Sequence, residues 1–274
     1  MKGERLRDRI AFIILLIGLF AVLFPFFWMI LSAFKTQFDV YSYPPKWFPK
    51  SWNFENFSKV FEMIPFGRYY LNSILVTSLS TFGQLWISIF AAYALARLRF
   101  PFKSFVFAFI LATMLMPFAV TMIPTFLIIS SLKWIDTYQG LIVPFLFNGF
   151  SIIFLVQFFI TVPMDLQDAA KIDGCGYFRI LFSVILPNTK PAISTIVLFT
   201  FLSRWRDYLW PLIATNTTEM RTLPVGLKYL ISEGGSEYHL LMAASLMAIL
   251  PVIIVYVFSE KQFIKSVTMT GLKS

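Results

Sequence analysis

The chain has 274 residues, of which 58% are hydrophobic and only 14% are charged, and its mean hydropathy is +0.75. Soluble domains are about 45–50% apolar and about 25% charged, so a water-soluble fold would have to expose large apolar patches, and the composition indicates a membrane protein. The formal net charge of +9 would suggest nucleic-acid binding in a soluble protein, but here the basic residues lie in short segments between apolar runs, as in membrane proteins.

The sequence is poor in motifs for catalysis or metal binding. Cys175 is the one cysteine and His239 the one histidine, so the chain can form neither an internal disulfide nor a zinc site of Cys and His side chains. It contains no G-x-x-x-x-G-K-[ST] loop, no H-E-x-x-H and no G-x-S-x-G. Transport driven by ATP would therefore need an ATPase on another chain.

Six apolar runs of about 20 residues or more follow one another along the chain, and each is long enough to cross a hydrocarbon core of about 30 Å as a helix. Backbone hydrogen bonds must close inside each span, so the sequence predicts an all-α, polytopic membrane protein. The first run is longer than the apolar region of a cleaved signal peptide and lacks a small-residue cleavage site, so we interpret it as a retained span. After an N-terminal segment 1–9, one transmembrane domain covers 10–274, with spans at about 10–34, 70–96, 104–130, 140–162, 192–213 and 240–259.

The distribution of lysine and arginine predicts the orientation of the spans. Six spans place both termini on the same side, which carries thirteen basic residues, whereas the other side carries eight. Five of those eight lie in one long loop, 35–69, and long loops weigh less in the positive-inside rule. Both termini are therefore predicted to be cytoplasmic.

The segment 163–191, on the predicted cytoplasmic side, has the pattern of two short helices separated by a glycine. Asp165 suits the N-cap of the first helix, which runs to about Ile172, and Gly174 suits the left-handed conformation that ends helices. The second helix begins near Gly176 and ends at Pro187.

The first of these helices has a face that another protein could grip. Leu166, Ala169, Ala170 and Asp173 are spaced i, i+3, i+4 and i+7, so they share one face, and the two alanines leave its backbone nearly bare. Asp168 and Asp173 flank the alanines with negative charge. The pattern alone leaves two interpretations open: a knob that sinks into a groove of a partner, or an ordinary amphipathic connector.

The fifth predicted span carries charges. A charge at the centre of a bilayer costs at least about 2.5–3.5 kcal/mol on insertion scales, and such residues usually face a bundle interior or a watery cavity. Arg204 and Asp207 are three residues apart and can pair on one helix face. They could line a pore or contact a partner chain, or they could form a structural ion pair or snorkel to the surface.

The run 168–174, DAAKIDG, followed by Leu186 and Pro187, closely resembles the E-A-A-x-x-x-G loop of the permeases of ABC importers, with Asp168 in place of the family's Glu. Further segments resemble the carbohydrate permeases of this family. They are Asn72-Ser73, AYALARLRFP at 92–101, IDTY at 135–138 and MAAS at 242–245. The similarity covers the chain from about residue 70 to its end, and the maltose-type permease is the form that it resembles best.

This resemblance implies a binding-protein-dependent permease (MetI-like) fold, and a chain that is not an enzyme and binds no cofactor itself. The chain would be a permease subunit for a carbohydrate or related solute in a bacterial or archaeal cytoplasmic membrane. The implied partners are a second homologous permease chain, two ATPase subunits that carry ATP and Mg, and an extracytoplasmic solute-binding protein; nucleic acid is not among them.

The resemblance also assigns expected roles to residues. Leu166, Asp168, Ala169, Ala170, Asp173 and Gly174 would couple the chain to the ATPase. Asn72, Arg204, Trp205, Asp207 and Trp210 would belong to the pore or solute path, although the two tryptophans also suit packing. Gly234 and Gly235, in the polar loop 215–239, would lie near the docking site of the binding protein.

Two other classes of function compete with this interpretation. A self-contained secondary transporter would need paired repeats and ionisable relays in several spans, but only the fifth predicted span carries charges. A membrane enzyme would need clustered catalytic residues, and the sequence has none. The identity of the solute, the chain that contacts it and a contact of the C-terminal tail with the ATPase stay open at this point.

Overall fold

The structure, a computed structural model, describes the backbone of residues 2–231 and 237–271 and the side chains of 7–231 and 237–260. No strand occurs in these ranges, so the predicted all-α class is confirmed. The chain divides into two compact units, one of Met1–Gly67 with Val225–Leu250 and the other of Arg68–Pro224 with Pro251–Ser274.

The α-helices of the described ranges are α1 (Lys2–Ala33), α2 (Gln37–Val40), α3 (Glu55–Met63), α4 (Phe66–Arg97), α5 (Lys103–Met114), α6 (Phe118–Ser131), α7 (Tyr138–Ile142), α8 (Gly149–Phe159), α9 (Met164–Ile172), α10 (Tyr177–Ile180), α11 (Leu186–Asn188), α12 (Lys190–Trp205), α13 (Leu209–Ala214), α14 (Leu223–Leu227), α15 (Tyr238–Ala248) and α16 (Leu250–Gly271). Short 3-10 helices lie at Val143–Phe145, Thr218–Met220 and Lys228–Leu230, and a π-helix lies at Leu181–Ile185.

The candidate spans comprise three without a sharp bend, the last of which joins α15 to the first part of α16, and three bent pairs of helices. Arg7–Ala33, Phe66–Arg97 and Tyr238–Glu260 are each long and apolar enough to cross a membrane. The pairs Lys103–Met114 with Phe118–Ser131, Tyr138–Phe145 with Gly149–Phe159, and Tyr177–Asn188 with Lys190–Trp205 bend by 101°, 44° and 83°. Counting each bent pair as one span gives up to six, the number expected from the sequence, although the last pair joins the run 177–188 of the predicted cytoplasmic segment to α12.

A proline lies in or just before the break of two of the bent pairs. Pro117 lies in the break between α5 and α6, where it disfavours helical geometry at the preceding residue. Pro144 lies in the 3-10 helix between α7 and α8. By contrast, Pro25 and Pro124 lie inside α1 and α6 without interrupting them.

Two boundaries predicted from the sequence are wrong. The fifth span is not one helix over 192–213, because α12 ends at Trp205 and α13 begins only at Leu209. The second helix of the segment 163–191 does not end at Pro187 but continues to Asn188. Pro187 has no amide hydrogen and cannot donate to the carbonyl four residues before it. The π-helix that precedes it accommodates this loss, because its hydrogen bonds reach five residues back, as from the amide of Leu186 to the carbonyl of Leu181.

In the first unit, α1 packs against α15, and α15 also packs against α3. The amide of Asn56 anchors the chain after α1 by donating to the carbonyl oxygens of Ala33 and Lys35, both at 2.8 Å. Lys35 is itself buried, with Nζ 2.7 Å from the carbonyl oxygen of Lys46 and 3.9 Å from the ring centroid of Trp28, and burial lowers its pKa. Most apolar side chains of α1 ahead of this anchor are exposed, as in a helix that contacts lipid or a partner.

The core of the second unit is built from α4, α8, α12 and the helical run 177–188. Side chains of these elements with less than 6% exposure pack together, and the helices approach closely where small residues such as Ala92 and Ala192 are completely buried. The cluster includes Ile89, Ala92, Ile152, Leu155, Phe159, Ile185, Ala192 and Ile196.

Candidate functional site

Helix α9 contains the residues predicted to couple the chain to an ATPase. It begins at Met164 after Pro163, which makes no side-chain cap, so the prediction that Asp165 caps the helix is wrong. Proline disfavours helical geometry before it and suits the start of a helix, so the N-cap lies two residues earlier than expected. Asp165 lies instead in the first turn, where its negative charge interacts favourably with the positive end of the helix dipole.

The predicted end of α9 at Gly174 is confirmed. Gly174 has a φ of +78°, the left-handed conformation that glycine adopts without strain. Its amide donates to the carbonyl of Lys171 and the amide of Cys175 donates to that of Ala170, each at 2.9 Å. These two bonds form a Schellman motif, which ends α9 sharply and separates it from the run that begins at Tyr177.

The faces of α9 differ in exposure. Leu166 is 45% exposed, and Ala169 and Asp173 are also exposed. Ala170 is half-buried against the core of the second unit, and Gln167 is almost completely buried. The bare outer surface is therefore centred on Ala169, and the pair of alanines expected at its middle is divided between the outside and the core.

Asp168, whose negative charge was predicted to flank this surface, is paired with a basic residue of α9 itself. Asp168 and Lys171 form an ion pair at 2.8 Å, and both side chains are about half exposed. Exposed pairs of this kind contribute about 0–1 kcal/mol to stability, so the pair leaves α9 little changed energetically. Asp168 can exchange this neighbour for a basic group of a partner at small cost.

Arg97, the last residue of α4, contacts the segment that leads into α9. Its guanidinium donates to the carbonyl oxygens of Phe159 and Val162, and Nη1 lies 2.6 Å from the sulfur of Met164. Arg97 is only 9% exposed. From the sequence, Arg97 was one of the basic residues on the predicted cytoplasmic side and part of the resembling segment 92–101, and its contact with the chain ahead of α9 was not predicted.

Arg204 and Asp207 form the ion pair predicted for the fifth span, with Nη1 and Oδ2 3.2 Å apart. They do not share a helix face, since Asp207 lies beyond the end of α12. The other carboxylate oxygen of Asp207 accepts from the amide of Trp210 at 3.4 Å, and the guanidinium of Arg204 lies 3.9 Å from the ring centroid of Phe145. Two partners therefore hold the cation in place.

The remaining residues assigned to the solute path make internal contacts. Trp210 is 1% exposed and donates from Nε1 to the carbonyl of Gly140 at 3.0 Å, and Trp205 stacks on Phe201 with ring centroids 5.9 Å apart. Asn72 is completely buried. Its amide donates to the carbonyls of Glu219 and Arg221 at 2.7 and 2.9 Å, and it accepts from the hydroxyl of Tyr138 at 2.8 Å.

A polar cavity of about 190 Å³ lies between α4, α8 and α12. At its wall, Nε2 of Gln84 donates to Oγ of Ser151 and to Oγ1 of Thr200, both at 2.9 Å, so one amide joins three spans. Of the residues that line it, Arg204 is the one for which the sequence predicted a role. The lining residues are Gln84, Asn148, Phe150, Ser151, Ile196, Phe199, Thr200, Ser203 and Arg204.

A signal for this cavity was present in the sequence. Thr77, Thr81, Gln84 and Ser88 are spaced i, i+4, i+7 and i+11 along α4, and each is at most 7% exposed. Polar residues on one face of a transmembrane helix turn to the interior of a bundle or to a cavity. A search for helical periodicity of polar residues within the second apolar run would have found this stripe.

The loop after α13 is anchored by Asp136. Its Oδ1 accepts from the amides of Asn216 and Thr217 at 2.7 and 2.9 Å and from the hydroxyl of Thr217 at 3.1 Å. Burial alone raises the pKa of Asp136, but these bonds and the nearby Arg221 outweigh it and lower the pKa overall. Gly234 and Gly235, predicted near the docking site, lie outside the described residues, as does the end of the C-terminal tail.

Within 7–231 and 237–260, no three His, Cys, Asp or Glu side chains come together in a way that could hold a metal ion.

The family model described as binding-protein-dependent transport system inner membrane component matches residues 84–263. The arabinooligosaccharides transport system permease protein AraQ of Bacillus subtilis is 35% identical over 255 residues, which cover 92% of this chain and 90% of that protein. The sn-glycerol-3-phosphate transport system permease protein UgpE of Yersinia pestis is 30% identical over 273 residues, 97% of each chain.

The fold also matches a chain of a bacterial ABC transporter involved in the import of the acidic polysaccharide alginate. The TM-score is 0.86 at 27% identity, over 96% of this chain and 98% of that one. These matches support the permease interpretation and not the self-contained secondary transporter. The chain therefore belongs to the family of binding-protein-dependent transport system inner membrane components, and it is a permease subunit of an ABC importer.

Proposed function

We propose that α9 of this permease is the helix through which a separate ATPase subunit drives the pore. The observation that carries the proposal is the outer face of α9, where Leu166, Ala169 and Asp173 are exposed and a small side chain lies at the centre. A face with a central alanine lets another protein approach the helix backbone closely. The Schellman motif at Gly174 ends this helix sharply, so it can act as one short body.

In this proposal, the coupling residues have different tasks. Leu166, Ala169 and Asp173 meet the ATPase, Asp168 offers it a charge, and Ala170 attaches the inner side of α9 to the core. Gly174 sets the length of the helix. ATP and Mg bind to the ATPase subunits, not to this chain, and ATP acts only through its different affinity for the two states of the ATPase pair.

The assembly proposed around the chain contains a second homologous permease, two ATPase subunits and an extracytoplasmic solute-binding protein. Both termini and α9 would then lie on the cytoplasmic side of a bacterial or archaeal cytoplasmic membrane. The loop 215–239 would lie on the opposite side, where Gly234 and Gly235 remain the proposed contacts of the binding protein. The single transmembrane domain over 10–274 would form one half of the pore.

For the solute, we propose a carbohydrate or a related polyol phosphate. The relatives named above transport arabinooligosaccharides or glycerol phosphate, which are rich in hydroxyl and acidic oxygen atoms. The polar cavity offers amide and hydroxyl groups of the kind that recognise such atoms. Arg204 and Asp207 would line the path, while Asn72, Trp205 and Trp210 would hold the surrounding elements in place.

The central test is Ala169→Asp, which places a larger, charged side chain on the bare face. We expect the purified membrane chains to retain their fold while the ATPase subunits are lost from the complex. Gly176→Asp adds the same charge a few residues away, at an N-cap with nothing within 4 Å of the new Cβ, and should leave the complex intact. An Ala169→Asp complex that keeps its ATPase subunits and still transports would contradict the proposal.

A further inference from the structure

Arg97 contacts two elements of the chain that have different proposed roles in transport. It ends α4, the long second span, and its guanidinium holds the carbonyls of Phe159 at the end of α8 and of Val162 just before α9. Nη1 also contacts the sulfur of Met164, the first residue of α9. One side chain therefore contacts the end of one span and the whole approach to the coupling helix.

The chemistry of this contact favours precise placement. The last carbonyls of a helix have no partners within the helix, and a cation is favourable at that end. Both carbonyls accept from Nη2, while Nη1 contacts the sulfur of Met164; a guanidinium fixes these two nitrogens in one plane, whereas a lysine ammonium acts as a point charge. Among the described residues no carboxylate pairs with Arg97, so its bonds to the chain ahead of α9 are the ones that position its head group.

Three buried polar atoms near this contact have no hydrogen-bond partner. They are the hydroxyl of Tyr93, one turn before Arg97 on α4, Nε of Arg97 itself, and Oε1 of Gln167, one turn after Met164 on α9. Gln167 is 2% exposed and Tyr93 is 5% exposed. A buried polar group without a partner is energetically costly, so each of these atoms needs an explanation.

Two of these atoms are donors on α4 and the third is an acceptor on α9. Pairing a donor of α4 with the acceptor of α9 would require the two helices to shift relative to each other. The unpaired atoms therefore favour a second arrangement of the same contact, as a transporter with two states requires.

We propose that Arg97 is the positioning residue that transmits a displacement of α9 to α4, and through α4 to the polar cavity. Helix α4 runs unbroken from Phe66 to Arg97, and Gln84, which lines the cavity, lies thirteen residues before Arg97. At a rise of about 1.5 Å per residue, this is about 20 Å along one rigid helix. The inference rests on the proposed binding of α9 to an ATPase subunit.

The test uses the complete importer complex in lipid nanodiscs, with Cys175→Ser to remove the native thiol and Ser203→Cys as a reporter in the cavity. Ser203 is exposed and lines the cavity. Labelling of the reporter by a fluorescent maleimide is timed without nucleotide and after trapping with ATP, Mg and vanadate. In the parent complex we expect a severalfold change in the labelling rate.

In the Arg97→Gln complex, we expect the ATPase subunits to remain bound and to hydrolyse ATP, but the labelling rate should no longer respond to trapping. Arg99→Gln removes an exposed arginine two residues away and should preserve the response. An Arg97→Gln complex that responds as fully as the parent would overturn the inference.

If Arg97→Gln does not accumulate as a complex, Arg97→Lys decides the question, because it keeps the charge but not the planar fork. A reduced response supports the inference, and a full response refutes it. The failure of the underlying proposal has a different signature. If Ala169→Asp leaves the ATPase subunits bound and active, the proposed binding of α9 to the ATPase is wrong. If the Arg97 inference alone fails, the variant complex is intact and its labelling rate responds to trapping as fully as in the parent.

Discussion

Replacing Gln84 by leucine removes the amide that joins three spans at the wall of the polar cavity. The amide donates two hydrogen bonds of 2.9 Å, to Ser151 on α8 and Thr200 on α12, and Gln84 is 4% exposed. Leucine has a similar size and helix propensity, so the change mainly removes these bonds.

The magnitude follows from the number of bonds and the medium. Hydrogen bonds between transmembrane helices average about 0.6 kcal/mol in double-mutant cycles, so two bonds predict a loss of about 1 kcal/mol in the free energy of unfolding. The hydroxyls left behind can turn to carbonyls of their own helices, which keeps the loss small. Apolar contacts around Ile89 and Ile152 remain and maintain the packing of α4 against α8.

The assay is reversible unfolding in mixed detergent micelles, with Ser151→Ala and Thr200→Val completing double-mutant cycles with Gln84→Leu. Each single hydroxyl variant should cost about half as much as Gln84→Leu, and each cycle should show coupling of about 0.6 kcal/mol. Gln157→Leu makes the same change at an exposed position of α8 and should have no measurable effect. A loss above about 3 kcal/mol, or coupling near zero in both cycles, would refute this reasoning.

Acidification should release the loop held by Asp136, because its lowered pKa provides stability that is complete above the ordinary value of 3.8 and is lost as the pH falls through the folded-state pKa. Hydrogen-exchange protection of the two amides bound to its carboxylate should follow this course, and Asp136→Asn should remove the pH dependence. Gly174→Ala should lower the free energy of unfolding by about 1–2 kcal/mol because of its φ of +78°, while Gly176→Ala, with a φ of −73°, should be neutral in the same micelle assay. Gly140→Ala should sharply reduce the yield of folded protein in size-exclusion chromatography, since its Cβ would lie 2.2 Å from a backbone oxygen, whereas Gly18→Ala meets nothing and should behave as the parent.

The sequence predicted the features that depend on neighbours along the chain. The apolar runs gave the six spans, because each span must close its own backbone hydrogen bonds in lipid. Gly174 predicted the end of α9, because the turn that ends this helix needs a residue in the left-handed conformation, which glycine adopts without strain. The pairing of Arg204 with Asp207 was also predicted, but the helix face expected to hold the pair does not exist, because α12 ends before Asp207.

Other features depend on residues that are far apart in the sequence. The cavity needs Gln84, Ser151 and Thr200, which come from three spans, and the contact of Arg97 with the approach to α9 joins positions more than sixty residues apart. The bends within the spans and the break after Trp205 are tolerated where packing repairs the lost backbone bonds, and no local pattern gives their angles.

The amino-acid sequence by itself determined that this protein is an all-α membrane chain with a short, small-faced helix between its fourth and fifth spans. Only the tertiary structure decided that Ala169 lies outside while Ala170 faces the core, and that Arg97 holds the base of that helix. The physical reason is that span length and helix ends follow from local backbone hydrogen bonding. The side of a helix that is buried, and the partner of a buried cation, follow from how the helices pack together.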